Sequence, residues 1–270
     1  MHERVSVNAL CFPGASLAQM ADHWRALAPR RIAFMSSLLT DDVGLPRGII
    51  VDGGYRFESM THLFLWGHQM DAAQAIWDAE RAKLSRVIET VAALGGRSIY
   101  MMTGGHGPMS WEDAAQAFSA GIAPCVAQAK AAGVQLMIET ASPLYADAHL
   151  PHSLRDTVTL AEMAGIGVCV DIYACWTEAG LKETIARAVP RCGLVQICDY
   201  VYGDRALPSR AVPGDGDIPL RQIVGWLLEA GYEGAFDLEL IGPRIDAEGH
   251  LEAARRSAAK VGELLIELGA

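Results

Sequence analysis

Eight short apolar runs, rich in β-branched residues, alternate along this chain with longer segments of helical period. Such alternation is typical of repeated βαβ units, in which helices cover a parallel sheet. The predicted strands are residues 5–11, 31–36, 56–64, 98–103, 134–139, 167–171, 194–199 and 235–240, and the predicted helices are 17–27, 78–94, 111–132, 153–164, 181–189, 220–230 and 250–268. Because 270 residues suffice to close eight such units, we predict an α/β fold, a (β/α)8 TIM barrel, with one domain over residues 1–270.

Residue types at the predicted helix ends support these positions of the helices. Ser16 and Ser110 stand where N-caps belong, because a serine hydroxyl can accept a hydrogen bond from the first helical turn. His149 and His152, in the loop after the fifth strand, are predicted to cap the helix that follows. Glycine follows four of the helices, as expected where a helix ends in a left-handed turn, at Gly95, Gly133, Gly165 and Gly231.

The connection after the second strand is the irregular one. It contains Pro46 and four glycines, and it shows no clear helical period over residues 40–55. We therefore predict an excursion over the barrel mouth instead of a full helix. Both a lid and a tolerated surface insertion fit such a segment.

The net charge of the chain indicates its class of partner, and its cysteines indicate its cellular compartment. A formal net charge of −10 argues against a nucleic-acid or anionic-membrane surface, which would need clustered lysine and arginine, so we expect a small-molecule substrate. Six cysteines without a CxxC pair, and a first segment without the apolar stretch of a signal peptide, favour buried thiols in a reducing cytoplasm. The sequence leaves a homodimer or a homotetramer open.

Four of the predicted strands end on polar side chains that can bind a metal ion. Glu139, Asp171, Gln196 and Glu239 each follow an apolar strand in the second half of the chain. In a TIM barrel the carboxyl ends of the strands converge at one mouth, so residues far apart in sequence meet there. Three carboxylates in an apolar setting need a cation, and this oxygen-rich set suits Mn²⁺ or Mg²⁺, with Co²⁺ or Zn²⁺ as alternatives. Each carboxylate alone could instead pair with an arginine or cap the next helix.

Further candidate residues lie in the loops at the same mouth. Arg210, after the seventh strand, could orient a substrate oxygen, or it could form a salt bridge to an aspartate of its own loop. His62 and His106 could donate hydrogen bonds or carry protons to the substrate, or they could be structural. Tyr173 and Trp176 follow the sixth strand and could line the substrate pocket. Aromatic residues at such positions can instead pack against neighbouring side chains.

Five segments of the second half carry a family resemblance: GVQLMIETASP, GVCVDIYACW, LVQICDY, RAVPGDGDIPL and GYEGAFDLEL. With these segments the chain resembles the xylose isomerase-like TIM barrels of the sugar phosphate isomerase/epimerase superfamily. The resemblance implies that Glu139 and Glu239 bind a divalent metal and shuttle a proton beside a carbonyl. It also implies that Asp171 is a further ligand and that Arg210 holds substrate oxygens, as in a metal-dependent isomerase or epimerase of sugar-like substrates.

Two positions depart from the pattern of this family. Many of its epimerases have histidine where this chain has Gln196, and a second histidine where it has Ala174. A glutamine on the seventh strand is similar to dehydroshikimate dehydratases of the same superfamily, so a metal-dependent lyase is the alternative. A non-catalytic sugar-binding barrel is a third reading, and a DNA-cleaving enzyme like endonuclease IV is disfavoured because the chain lacks a histidine-rich zinc site and a basic face.

Overall fold

The eight predicted strands form a closed parallel barrel in chain order, in which β8 pairs with β1. A computed structural model describes residues 1–39 and 42–270. The strands are β1 (Val5–Asn8), β2 (Arg31–Met35), β3 (Arg56–Leu63), β4 (Ser98–Met102), β5 (Gln135–Glu139), β6 (Gly167–Asp171), β7 (Cys192–Ile197) and β8 (Phe236–Leu238). The prediction of a single-domain TIM barrel is therefore confirmed.

The connecting segments place helices around the outside of the barrel. They are α1 (Leu17–Leu27), α2 (Gly44–Gly53), α3 (Gln74–Ala93), α4 (Trp111–Ala131), α5 (Leu154–Ala164), α6 (Ile172–Cys175), α7 (Leu181–Ala188), α8 (Leu220–Glu229), α9 (Pro243–Glu248) and α10 (His250–Glu267). The sequence predicted all of them except α2, α6 and α9. The short helices α6 and α9 follow β6 and β8 directly, so they help to shape the mouth.

The core lies mainly between the barrel wall and these helices. Trp24 of α1 shows how the two layers are joined: its ring packs edge-on against Phe34, and its indole N–H donates to the carbonyl of Val7 at 3.1 Å. Burial of such a side chain contributes on the order of 2–3 kcal/mol. The barrel interior is filled by a separate cluster, Tyr100, Met137, Cys169, Leu194 and Ala235.

Most of the predicted helix ends are confirmed. Ser16 and Ser110 accept hydrogen bonds from the backbone N–H groups of Gln19 and Asp113, and the four predicted glycines adopt positive φ angles between 69° and 90°. The histidines after β5 do not cap α5, because the hydroxyl of Ser153 takes that role. The ring of His152 instead contacts the carbonyl of Ala141 at 3.2 Å, and the contacts of His149 are described below.

The prediction of a non-helical excursion over residues 40–55 is wrong for its main part. Residues 44–53 form α2, which packs beside α1 in the outer layer; residues 40 and 41 lie outside the described part. Pro46 sits in the first turn, where a helix tolerates proline, and Gly54 ends the helix at a φ of 61°. Of the four glycines only Gly48 lies in the helix interior, where glycine is destabilising. The number of glycines was therefore a poor argument against a helix.

Two other expectations concern the whole chain. All six cysteines are free thiols, and five of them are buried, as predicted. Within residues 1–39 and 42–270, no helix combines the length and the apolar character that crossing a membrane requires.

Candidate active site

The carboxyl ends of the last four strands bring the four predicted polar residues together. Glu139, Asp171 and Glu239 line one cavity at the barrel mouth, and Gln196 is fully buried in contact with Glu239. The cavity holds about 190 Å³. That is less than the roughly 300–1,000 Å³ of pockets for drug-sized molecules, so the cavity suits a small ligand.

Arg210 lies directly on two of these carboxylates. Its guanidinium donates to both oxygens of Asp171, at 3.0 and 3.2 Å, and lies 2.9 Å from an oxygen of Glu239. The plane of Tyr173 supports the group from 4.5 Å, and 8% of Arg210 is exposed. The alternative role, a salt bridge to Asp215 or Asp217 of its own loop, is wrong: Asp215 pairs with Arg256, and Asp217 accepts the backbone N–H of Tyr202.

Asp171 also shows that one residue can fill several of the predicted roles. One of its oxygens accepts the backbone N–H of Tyr173 at 3.0 Å and thereby caps α6. The arginine pair and the helix cap, the two alternatives to a metal ligand, are thus both present at this position. In the described residues, no group of three or more acidic, histidine or cysteine side chains is arranged to hold a metal ion. Metal binding therefore stays a prediction.

Gln196 is a second hydrogen-bond donor to Glu239, in addition to Arg210. Its amide nitrogen donates to Glu239 at 2.5 Å, and its amide oxygen accepts from the thiol of Cys169 at 3.2 Å. A half-turn of the carboxamide would exchange these two atoms and bring the oxygen to the glutamates. The thiol could then accept from the amide nitrogen.

The electrostatics of the cavity favour protonated glutamates. Burial raises the pKa of Glu139 well above its usual range, and the charges of Glu239 and Asp171 raise it further. Burial also raises the pKa of Glu239 to about 7, although Arg210 opposes that shift. One guanidinium therefore faces three carboxyl groups, of which Asp171 and Glu239 are buried, and three negative charges so close together are costly.

A hydrogen-bonded layer of side chains forms the floor of the cavity. The hydroxyl of Tyr100, which lines the cavity, accepts from Thr61 at 2.6 Å and from Asn8 at 3.1 Å. Asn8 also donates to Asp237 at 2.6 Å. These contacts join β1, β3, β4 and β8, so the floor is held by four strands.

The loop that carries Arg210 is organised by Asp199. The Asp199 carboxylate is 1% exposed and accepts backbone N–H groups of Tyr200, Gly214, Gly216 and Ile218 at 2.8 to 3.2 Å. Gly216 has no room for a side chain, because a Cβ atom there would lie 2.4 Å from that carboxylate. The glycines of this segment thus serve the turn, as the sequence suggested.

Replacement of Asp199 by alanine should lower the free energy of unfolding by about 2–3 kcal/mol, because four backbone donors lose their acceptor. Urea unfolding followed by circular dichroism measures the loss. Asp217 in the same loop is the matched control, since within the described residues its carboxylate accepts only the backbone N–H of Tyr202, and it lies at the surface. Equal losses for the two alanine variants would contradict this role of Asp199.

His149 holds Glu139 in place through the backbone. Its Nδ1 accepts the N–H of Thr103 at 3.1 Å, so its Nε2 carries the proton and donates to the carbonyl of Glu139 at 2.9 Å. The ring is completely buried, and burial lowers its pKa to about 3. The neutral imidazole thereby links the ends of β4 and β5.

The contribution of His149 to stability should depend on pH. Its folded pKa of about 3 lies below the unfolded value of about 6.5, so the stabilisation is complete above pH 6.5 and is lost as pH falls toward 3. His149→Gln should be destabilised by about 2–3 kcal/mol at pH 7. That difference should shrink by about 2 kcal/mol at pH 5. Urea unfolding of both proteins at the two pH values tests this, and a constant difference would contradict it.

The other predicted site residues divide between the cavity and its surroundings. Tyr173 lines the cavity, whereas His62, His106 and Trp176 are absent from its described lining. His62 faces a separate pocket, and Trp176 packs near Tyr200 and Tyr202. The sequence reasoning missed several lining residues on β3, β4 and the loops, namely Thr61, Tyr100, Ser142, Tyr145 and Pro208.

Comparison with known proteins identifies the family of the chain. The protein SMc04130 from Sinorhizobium meliloti 1021 is 25% identical, with a TM-score of 0.82 over 98% of each chain. An L-ribulose 3-epimerase is 19% identical, with a TM-score of 0.81 over 98% of this chain and 95% of its own. The IolI protein, solved with a zinc atom, is 13% identical, with a TM-score of 0.78 over 98% and 99%. The last two similarities show the fold alone.

No curated protein sequence matches the chain. The xylose isomerase-like TIM barrel family, however, matches residues 58–261, which is most of the described barrel. The chain therefore belongs to the family of xylose isomerase-like TIM barrels.

Proposed function

We propose that this protein is a divalent-metal-dependent isomerase or epimerase that moves a proton beside the carbonyl of a small, polyhydroxylated substrate. One observation carries the proposal: two glutamates with raised pKa values, the partly buried Glu139 and the buried Glu239, line one small cavity with a buried arginine. The pKa of about 7 at Glu239 lies near the working pH, which suits general acid–base catalysis. L-ribulose 3-epimerase, which shares the fold, catalyses chemistry of this class by its name.

The donor set fits a divalent cation in charge and in chemistry. Three carboxylates against the guanidinium of Arg210 leave two negative charges, which one divalent ion would neutralise. Oxygen ligands of this kind suit Mg²⁺ or Mn²⁺, while the zinc atom of IolI keeps Zn²⁺ among the candidates, together with Co²⁺. Glu139, Asp171, Glu239 and the amide oxygen of Gln196 would hold the ion. Arg210 would then have to release at least one of its carboxylates, because its guanidinium now lies on two of them.

A bound metal ion would polarise the substrate carbonyl and its neighbouring hydroxyl. The side chains of this chain would perform the proton transfer. One glutamate, as the carboxylate, takes the proton from the carbon beside the carbonyl, and the electron pair of that C–H bond passes to the carbonyl oxygen. For an epimerase, the other glutamate, protonated, returns a proton to the opposite face of the same carbon, and the electron pair on the oxygen re-forms the carbonyl. For an isomerase, it protonates the former carbonyl carbon, and the proton of the neighbouring hydroxyl passes to the former carbonyl oxygen, so that the carbonyl forms at the neighbouring carbon. Arg210 donates hydrogen bonds to the oxygen that gains charge.

The same first step serves the alternative, a metal-dependent lyase. In that case the electron pair expels a hydroxide from the carbon β to the carbonyl, and the protonated glutamate supplies the proton that turns it into water. The supporting observation is Gln196 on β7, where many epimerases of the family have histidine. Substrate chemistry decides between the two outcomes, since only a substrate with a β-hydroxyl group can lose water.

An experiment in deuterated water separates these functions. The purified protein is incubated with Mn²⁺ and a panel of ketoses of about four to six carbons, sizes in keeping with the small cavity, and products are followed by NMR and ultraviolet absorbance. Deuterium beside the carbonyl without loss of water supports the isomerase. A conjugated chromophore supports the lyase, and saturable binding without deuterium uptake supports a non-catalytic barrel.

We also propose a cytoplasmic location and a small-molecule partner without nucleic acid. Six free thiols are compatible with a reducing compartment. A homodimer or homotetramer is compatible with the fold.

A further inference from the structure

A second pocket lies on the outer side of the barrel wall, between the end of β2, the end of β3 and helix α3. It holds about 350 Å³. Thr61 points into the barrel, where it bonds Tyr100, so the next residue on the strand, His62, points outward into this pocket. We call it the β3/α3 pocket and define it by His62, Ser36, Lys83, Arg86 and Thr90.

His62 carries a buried polar atom without a partner. The residue is 6% exposed, and its Nδ1 lies 2.9 Å from the hydroxyl of Ser36. Its Nε2 is buried and has no hydrogen-bond partner among residues 1–39 and 42–270. If the hydroxyl donates to Nδ1, Nε2 holds the proton and is a donor. A buried donor without an acceptor is costly, so a ligand oxygen at this position would be favourable.

The remaining polar groups of the pocket are also donors. Lys83, Arg86 and Thr90 lie on one face of α3 at helical spacing, and the first two are cations. Lys83 is paired with Glu80 at 2.6 Å, whereas Arg86 has no carboxylate partner in the described part of the chain. Among the described lining residues none is acidic, in a protein whose net charge is −10. The pocket therefore favours an anion.

We propose that the β3/α3 pocket binds a small phosphorylated organic molecule, with its phosphate on Arg86, Lys83 and His62. Four donor side chains, those of His62, Lys83, Arg86 and Thr90, suit the peripheral oxygens of a phosphate better than the two oxygens of a carboxylate. The pocket is larger than a phosphate group, and Met35, Met60 and Val87 offer apolar contact for an organic body. The site is distinct from the catalytic cavity, although Met35, Thr61 and Leu63 border both.

Histidine ring NMR of the full-length protein tests this proposal. Inorganic phosphate and butyl phosphate are titrated separately, with acetate as the carboxylate probe, and His62→Asn assigns the ring signal of His62. We expect saturable shifts of the His62 ring nitrogens with both phosphates. Butyl phosphate should bind about tenfold more tightly, because its chain buries apolar surface. Acetate should bind more weakly than phosphate.

Variants place the bound phosphate. Arg86→Ser should weaken binding at least about tenfold, since the residue is exposed and its loss removes one charge-assisted contact. Arg221→Ser, an exposed arginine of α8, is the matched control and should bind as the original protein does. Unsaturable shifts, or binding unchanged by Arg86→Ser, would overturn the proposal. Binding lost only on Arg210→Ala would place the phosphate in the catalytic cavity and would also overturn it.

Discussion

Glutamine in place of Glu239 should slow deuterium uptake into a turned-over ketose by about 10³-fold, within the range general acid–base groups contribute. The amide cannot accept or return the proton, while its size and its neighbours Gln196 and Arg210 remain compatible with the fold. The uptake rate is measured by NMR at saturating substrate and Mn²⁺. Because the substitution also removes a proposed metal ligand, the metal concentration is raised until the rate no longer changes.

The matched control for this change is Glu233→Gln. Glu233 is an exposed glutamate that lines the pocket at the opposite end of the barrel, so its amide variant should exchange at the original rate. Deuterium uptake at the original rate in Glu239→Gln would show that Glu239 is not one of the acid–base groups. Loss in both variants would indicate a general defect of the protein.

Alanine in place of Arg210 should destabilise the metal-free protein by about 3 kcal/mol at pH 8, since loss of one partner leaves buried carboxylates without their counter-charge. The sign of the pH dependence follows from Glu239, whose pKa of about 7 makes it neutral in acid. The loss should therefore be smaller at pH 6 and should grow as pH rises. Urea unfolding in a chelator at both pH values measures it.

Metal should rescue this variant more than the original protein. A divalent ion can supply the missing positive charge to Asp171 and Glu239, so Mg²⁺ or Mn²⁺ should raise the stability of Arg210→Ala by a larger increment. Arg256→Ala removes an exposed pair with Asp215 and Glu248 and should cost less than about 1 kcal/mol under all conditions. A metal increment equal in Arg210→Ala and the original protein would refute the proposed exchange between arginine and metal.

The convergence of the carboxylates could be predicted because it follows from strand ends alone. Glu139, Asp171 and Glu239 each end an apolar run, and parallel strands of a barrel deliver such residues to one mouth. The partner of Arg210 could not be predicted in this way. It depends on the course of a loop that the buried carboxylate of Asp199 shapes through four backbone contacts.

His62 shows how one irregularity changes the face of a strand. Phe57 faces outward against Phe34, so simple alternation from Phe57 would turn His62 into the barrel. The pairing of β2 with β3 shifts between Ile32 and Ala33, and the extra residue on β3 is Glu58. Beyond that bulge the alternation is reversed, so Thr61 points inward and His62 outward.

The rim and the floor of the cavity at the barrel mouth are built differently. The floor joins four strands through Asn8, Thr61, Tyr100 and Asp237, whereas the rim is carried by loops with residues such as Trp66, Tyr145 and Leu207. Substitutions at the rim can therefore alter which molecule the cavity binds without lowering the stability of the barrel. Substitutions in the floor are expected to affect both binding and stability. Divergence toward new substrates, in nature or by directed evolution, should accumulate in the rim loops.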